Sequence, residues 1–128
     1  MSEQQNVQAV QAMYAAFGNG DIQGILAHLS EEVEWRAYSP YDASLARTYT
    51  GHAGVGQFFQ ELNAAMSMDV FEPKEYVAQG DKVVALGNLQ TTMRNTGEAT
   101  RTDFAMLWTF RDGKAIRFFE YGNDAPVQ

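Results

Sequence analysis

The chain has 128 residues, nine Lys and Arg against sixteen Asp and Glu, a formal net charge of −7 and no cysteine. That length predicts a single domain, 1–128, whose core needs neither metal nor disulfide, and the missing cysteine excludes a disulfide framework, a thiolate nucleophile and a cysteine metal site. An acidic balance without any basic cluster argues against nucleic acid and anionic lipid, and a polar start, MSEQQNVQAVQ, with no run near the ~20 apolar residues of a membrane span, predicts a soluble, cytoplasmic protein.

Val7, Val10, Tyr14 and Phe17, with Met13 beside them, recur at helical steps, so the spacing predicts an amphipathic helix over 4–17. Gly18, Asn19 and Gly20 stop it, and Asp21 caps a second helix that gathers Ile22, Ile25, Leu26 and Leu29 on one face. Val33, Trp35 and Ala37 alternate with Glu34, Arg36 and Tyr38, the pattern of a short half-buried strand. SPYDASLARTYT, 39–50, contains Pro40 and reads as a loop; Gly51 to Met66 returns to helical spacing through Val55, Phe58, Phe59 and Leu62. From Val70 the chain reads as strands separated by Gly80-Asp81, by Asn95-Thr96-Gly97 and by Asp112-Gly113. Three helices followed by an antiparallel meander predict an α+β fold in which a curved sheet wraps the helices.

This order of elements, with YAAFGNGDIQGI, YTGHAGVGQFF and LWTFRDGKAIRFFEY, resembles the SnoaL-like and ketosteroid isomerase-like branch of the nuclear transport factor 2-like superfamily. The resemblance spans nearly the whole chain. It implies a cone-shaped α+β barrel around an apolar pocket, commonly assembled as a homodimer, and a choice among isomerase, cyclase, hydratase, epoxide hydrolase and noncatalytic roles.

Chemistry centres on ATRTDFAMLW, 99–108, where Arg101 and Asp103 stand in an otherwise apolar strand. If Asp112-Gly113 is a two-residue turn, Arg111 faces Lys114, Leu107 faces Phe118, Ala105 faces Glu120, and Arg101, Asp103, Phe118 and Glu120 share a face. A three-residue loop with a glycine bulge would instead turn Glu120 away and bring Arg117 and Tyr121 beside Asp103. Resemblance to the limonene epoxide hydrolases places Arg101-Thr102-Asp103 on their Arg-x-Asp and Glu120 on their second acid; the residues that hold water in that family appear here as Trp35 and Ala37. Against the ketosteroid isomerases, the catalytic Asp falls at Ala37, the helix-one Tyr at Met13 and the protonated Asp near Met106, so steroid isomerisation by that set is expected to be absent.

Two readings follow. The first is an enzyme, without metal or organic cofactor, acting on a small lipophilic molecule by carboxylate acid–base chemistry: isomerisation, cyclisation or hydrolysis. Asp103 is its central acid or base, Glu120 its partner, Arg101 the residue that tunes them, and Trp35, Tyr14, Tyr49, Phe118, Leu107 and Phe59 line the substrate site. The second is a noncatalytic binding or dimerisation module using the same pocket. His28 and His52, 24 residues apart, do not have zinc-pair spacing. The meander is apolar on both faces, so a homodimer through the sheet is expected.

Overall fold

In a computed structural model describing residues 2–39 and 43–127, Ser2 opens helix α1 (Glu3–Gly18) with a reciprocal capping box. Its Oγ accepts from the Gln5 N–H at 3.1 Å while Gln5 Oε1 accepts from the Ser2 N–H at 2.9 Å, so two of the helix's orphan donors are satisfied. Gly20 takes the left-handed φ of +69° that ends the turn, and Asp21 Oδ1 then accepts from the Gly24 N–H at 3.0 Å to start α2 (Ile22–Leu26). This helix is shorter than its apolar spacing predicts: Leu29 belongs to strand β1 (Leu29–Arg36), because His28 ends the turn and hands its carbonyl to the Ala115 N–H at 2.9 Å.

A 3₁₀ turn (Ala43–Ala46) and a short strand β2 (Thr48–Thr50) replace part of the expected loop; Pro40, Tyr41 and Asp42 lie outside the described residues. Helix α3 (Gly51–Ala65) follows, then four long strands, β3 (Met66–Gln79), β4 (Lys82–Met93), β5 (Ala99–Arg111) and β6 (Lys114–Pro126). Strands β3 to β6 form the expected antiparallel meander. The sheet as a whole is mixed, in the order β2-β1-β6-β5-β4-β3, because β1 lies parallel to β6 and carries β2 antiparallel on its far side.

The sheet's inner face packs on α1 and α3. Val10, Met13, Val33, Val55, Val83 and Trp108 are all at least 98% buried there, each contributing roughly 1.5–3 kcal/mol of transfer free energy for a Val- or Met-sized side chain. No helix among the described residues is long and apolar enough to cross a membrane.

The β5–β6 hairpin decides what faces inward. Asp112 and Gly113 have φ of +52° and +81°, the two-residue mirror-image turn that their sequence predicts, and Arg111 pairs with Lys114. The ladder does not run on regularly. Phe110 pairs with Ala115 but Thr109 pairs with Arg117, so Ile116 is the extra residue of a β-bulge, and beyond it Trp108 faces Phe118, Met106 faces Glu120 and Asp103 faces Asn123. Without the bulge, Arg117 would stand beside Trp108 on the core face. With it, Phe118 takes that place and the guanidinium stays half-exposed, paired with Glu34 at 3.2 Å. Keeping an ionised side chain out of an apolar core outweighs the one backbone pairing the bulge forgoes.

A candidate active site inside the barrel

Between the sheet and the helices lies a cavity of about 110 Å³. Its floor is a triple aromatic contact built by three strands: Trp35 of β1, Trp108 of β5 and Phe118 of β6, with ring centroids 4.1 Å apart for Trp35–Phe118 and 4.6 Å for Trp108–Phe118. Phe58 and Phe59 on consecutive positions of α3 both reach Trp35, at 5.7 and 5.6 Å. Met13, Tyr14 and Phe17 of α1 close the opposite wall.

The polar groups gather where β1 runs out. Glu120 lines the cavity beside Tyr38, Ser39 and Thr102, and one of its carboxyl oxygens accepts from the Tyr38 N–H at 3.2 Å. Removal from water raises its pKa from 4.5 to about 7; the backbone bond from Tyr38 opposes the shift and the neighbouring Asp124 charge adds to it. Asp124 itself accepts from Thr102 Oγ1 at 2.6 Å, and its other oxygen is buried without a partner among the described residues. Gly122 makes room for this corner: a Cβ there would stand 2.5 Å from the Tyr38 ring.

Two hydrogen-bond donors complete the lining. Trp35 is 4% exposed and its Nε1–H is buried with no partner among the described residues. Tyr14 accepts from Trp108 Nε1 at 3.1 Å and donates to Met106 Sδ at 3.1 Å. Thioether sulfur is a weak acceptor, so a ligand oxygen would be the better partner for that hydroxyl. Burial holds the Tyr14 phenol above its ordinary pKa and a charge on Glu120 reinforces this, which keeps Tyr14 a proton-bearing donor at neutral pH.

Several expected site residues stand elsewhere. Asp103 and Arg101 face outward, with side chains 64% and 49% exposed and 3.4 Å apart, and the shift at Ile116 puts Glu120 on the other face from them. The Arg-x-Asp arrangement of the epoxide hydrolases is therefore not assembled in the cavity. Leu107 is also on the outer face, opposite Val84 and Phe119. Tyr49 is buried but away from the cavity: its hydroxyl donates to Glu61 at 2.6 Å and ties β2 to α3. Trp35, Tyr14, Phe59, Phe118 and Glu120 line the cavity together.

Sequence reasoning missed Tyr38, Thr102 and Met106, and gave Trp108 no specific role. Trp108 was legible in principle, since Phe104, Met106, Trp108 and Phe110 form a continuous apolar alternation that marks the inner face more strongly than Arg101 and Asp103 could. Among the described residues, no group of three or more His, Asp or Glu is arranged to hold a metal ion.

A mixed, curved sheet folded over helices around an aromatic cavity that holds a buried acid defines the class of fold. The chain matches the SnoaL-like domain over residues 10–118 and belongs to that family, within the nuclear transport factor 2-like fold. A nuclear transport factor 2-like protein from Burkholderia xenovorans LB400 is 33% identical, aligned over 96% of this chain and 92% of that one with a TM-score of 0.85. One from Burkholderia pseudomallei K96243, of unknown function, is 30% identical over the same shares with a TM-score of 0.81. TerC, co-crystallized with polyporic acid, is 33% identical over 93% of this chain and 92% of that one, with a TM-score of 0.79. No curated protein matches the chain.

Proposed function

We propose that this protein is an enzyme that moves a proton on a small lipophilic carbonyl compound, with Glu120 as the group that takes and returns it. The observation that carries this reading is the buried Glu120 carboxyl in an aromatic cavity that Tyr14 and Trp35 also line, the Trp35 N–H being without a partner among the described residues. Ionised Glu120 removes a proton from the carbon beside the carbonyl. The C–H electron pair becomes the enolate double bond, the carbonyl π pair moves to oxygen, and that oxygen accepts from Tyr14 and Trp35. Return of the proton to a different carbon completes an isomerisation; attack of the enolate carbon on a second carbonyl of the same molecule sends that carbonyl's π pair to its oxygen, and return of the proton from Glu120 to this alkoxide completes a cyclisation. Hydrolysis has less support, because Arg101 and Asp103, which it was to use beside Glu120, lie outside the cavity. TerC, a relative at 33% identity, was co-crystallized with polyporic acid, which supports an organic ligand for this chain.

The test is exchange of the benzylic hydrogens of phenylacetone in deuterated water, followed by proton NMR. Wild-type protein should accelerate exchange, Glu120→Gln should lose roughly 10²–10⁴-fold, the usual worth of a positioned base, and Asp103→Asn should behave as wild type. Exchange no faster than in buffer, or unaffected by Glu120→Gln, refutes the reading. Saturable binding of phenylacetone without exchange would put the noncatalytic binding module in its place.

We also infer that a second copy of the chain covers the outer face of the sheet. Val77, Val84, Leu107 and Phe119 follow one another across β3, β4, β5 and β6, flanked by Leu86 and Tyr121. Val77 and Tyr121 are 57% and 51% exposed in the single chain.

A further inference from the structure

The cavity is smaller than an apolar cavity of ~150 Å³ that takes up benzene, so it must widen to seat a whole ring. Directly outside it, between α1 and β3, runs a groove of about 530 Å³. Four side chains, Tyr14, Phe17, Met68 and Phe71, line both spaces. These four residues stand between the two spaces. Phe71 meets Tyr14 and Phe17 edge to face, at 5.1 and 5.2 Å, and is only partly buried. Phe71 also stacks on Phe104 at 5.5 Å and Phe17 packs on Phe59 at 5.9 Å, so a rotamer change that parts Phe71 from Phe17 exchanges these ring contacts for contacts with a ligand.

On the far side the helix presents Ala15 and Gly18, which leave the trench open, and its end carries Gln11 and the Tyr76 ring. The side chains of Gln11 and Tyr76 have no hydrogen-bond partner among the described residues, so both are available to a ligand.

We propose that the molecule this protein receives is an elongated aromatic of at least two rings, an oxygen-bearing ring seated in the cavity and a second ring lying in the α1–β3 groove after Phe71 and Phe17 part. This deepens the preceding reading and rests on its choice of the cavity as the ligand site, but not on Glu120 being a base. The two compartments share Tyr14, Phe17, Met68 and Phe71, and a molecule confined to either one would leave the other's apolar wall uncovered.

Phenol and 4-phenylphenol are the probes. Both tryptophans of the chain line the cavity, so protein labelled with fluorotryptophan reports any occupant of the cavity by fluorine NMR, while calorimetry gives affinity. Both probes should shift the tryptophan signals, and 4-phenylphenol should bind about tenfold tighter or more, the worth of burying a further ring. Ala15→Phe, an exposed position on α1, should fill the groove and bring 4-phenylphenol back to the affinity of phenol while phenol itself is unchanged. Equal affinities in the wild type, or a tenfold preference that survives Ala15→Phe, would overturn the two-compartment ligand while leaving the cavity as the site. If neither probe moves a tryptophan signal, the cavity is not the site and both readings fall. Tight 4-phenylphenol binding in a protein that fails the phenylacetone exchange test supports the ligand class and removes only the catalytic reading.

Discussion

Glu120 couples the chemistry of the cavity to the stability of the fold, and the two respond to pH in opposite senses. Its pKa is about 7 in the folded chain and 4.5 as an unperturbed side chain, so between these values the folded state holds a proton that the unfolded state has released. Stability must therefore fall as pH rises through the window, by at most about 3 kcal/mol from this group, and stay level above it. The base, conversely, becomes competent only as it ionises, so phenylacetone exchange should rise with a midpoint near pH 7. Glu120→Gln keeps the shape and removes the titration. Urea unfolding of wild type and variant from pH 4 to 8 should give a difference curve near zero at the acid end and favouring the variant at the alkaline end; parallel curves would mean that Glu120 is solvated as an ordinary carboxylate. Such a residue sits in a barrel at a standing cost in stability, which is the expected mark of a group retained for function. The outward pair Arg101–Asp103 contrasts with it: half-exposed and 3.4 Å apart, it is worth no more than about 1 kcal/mol.

At the scale of elements, the sequence reading went wrong at the end of α2, in the loop that holds β2 and, with most consequence for the site, at Ile116. Helix periodicity, the Asp21 cap, the glycine-bearing turns and the Asp112-Gly113 hairpin were all legible, because each is set by local backbone geometry and by apolar spacing. The bulge at Ile116 was not, since no turn residue marks it and its driving force, the exclusion of Arg117 from the core, exists only once Trp108 is known to face inward. Side-chain alternation amplifies such a slip: one unpaired residue split the expected set, leaving Phe118 and Glu120 in the cavity and Arg101, Asp103 and Leu107 on the opposite face. The glycines test this picture from the other side. Gly122 lies beneath Tyr38, and an added methyl would stand 2.5 Å from that ring and 2.8 Å from Thr102, so Gly122→Ala should cost about 1–3 kcal/mol. Gly56, inside α3 with nothing within 4 Å of its absent Cβ, should instead stabilise by about 0.5–1 kcal/mol when changed to alanine. Urea midpoints of the two variants moving in the same direction would show that the packing around Tyr38 is looser than described.

For the whole molecule, the sheet has two apolar faces and only one set of helices. The inner face satisfies α1 and α3; the outer stripe from Val77 through Val84 and Leu107 to Phe119 ends under the Arg36 guanidinium, 3.9 Å above the Phe119 ring, with Arg101, Asp103 and Arg117 at its margins. An apolar centre with a charged rim is the pattern of a protein–protein interface, and the surplus of apolar residues in the meander was visible in the sequence before their faces were known. A second copy on this face would bury the stripe without touching the cavity, whose lining lies on the opposite side of the same strands. Light scattering should therefore give twice the chain mass at micromolar concentration. Leu107→Asp, which places a charge at the centre of the stripe, should give the single-chain mass while phenol still shifts both tryptophan signals, because Leu107 takes no part in the cavity wall. A wild-type protein that runs as a single chain, or a Leu107→Asp protein that still pairs, would show that this face stays open to solvent and that the apolar strands serve the inner core alone.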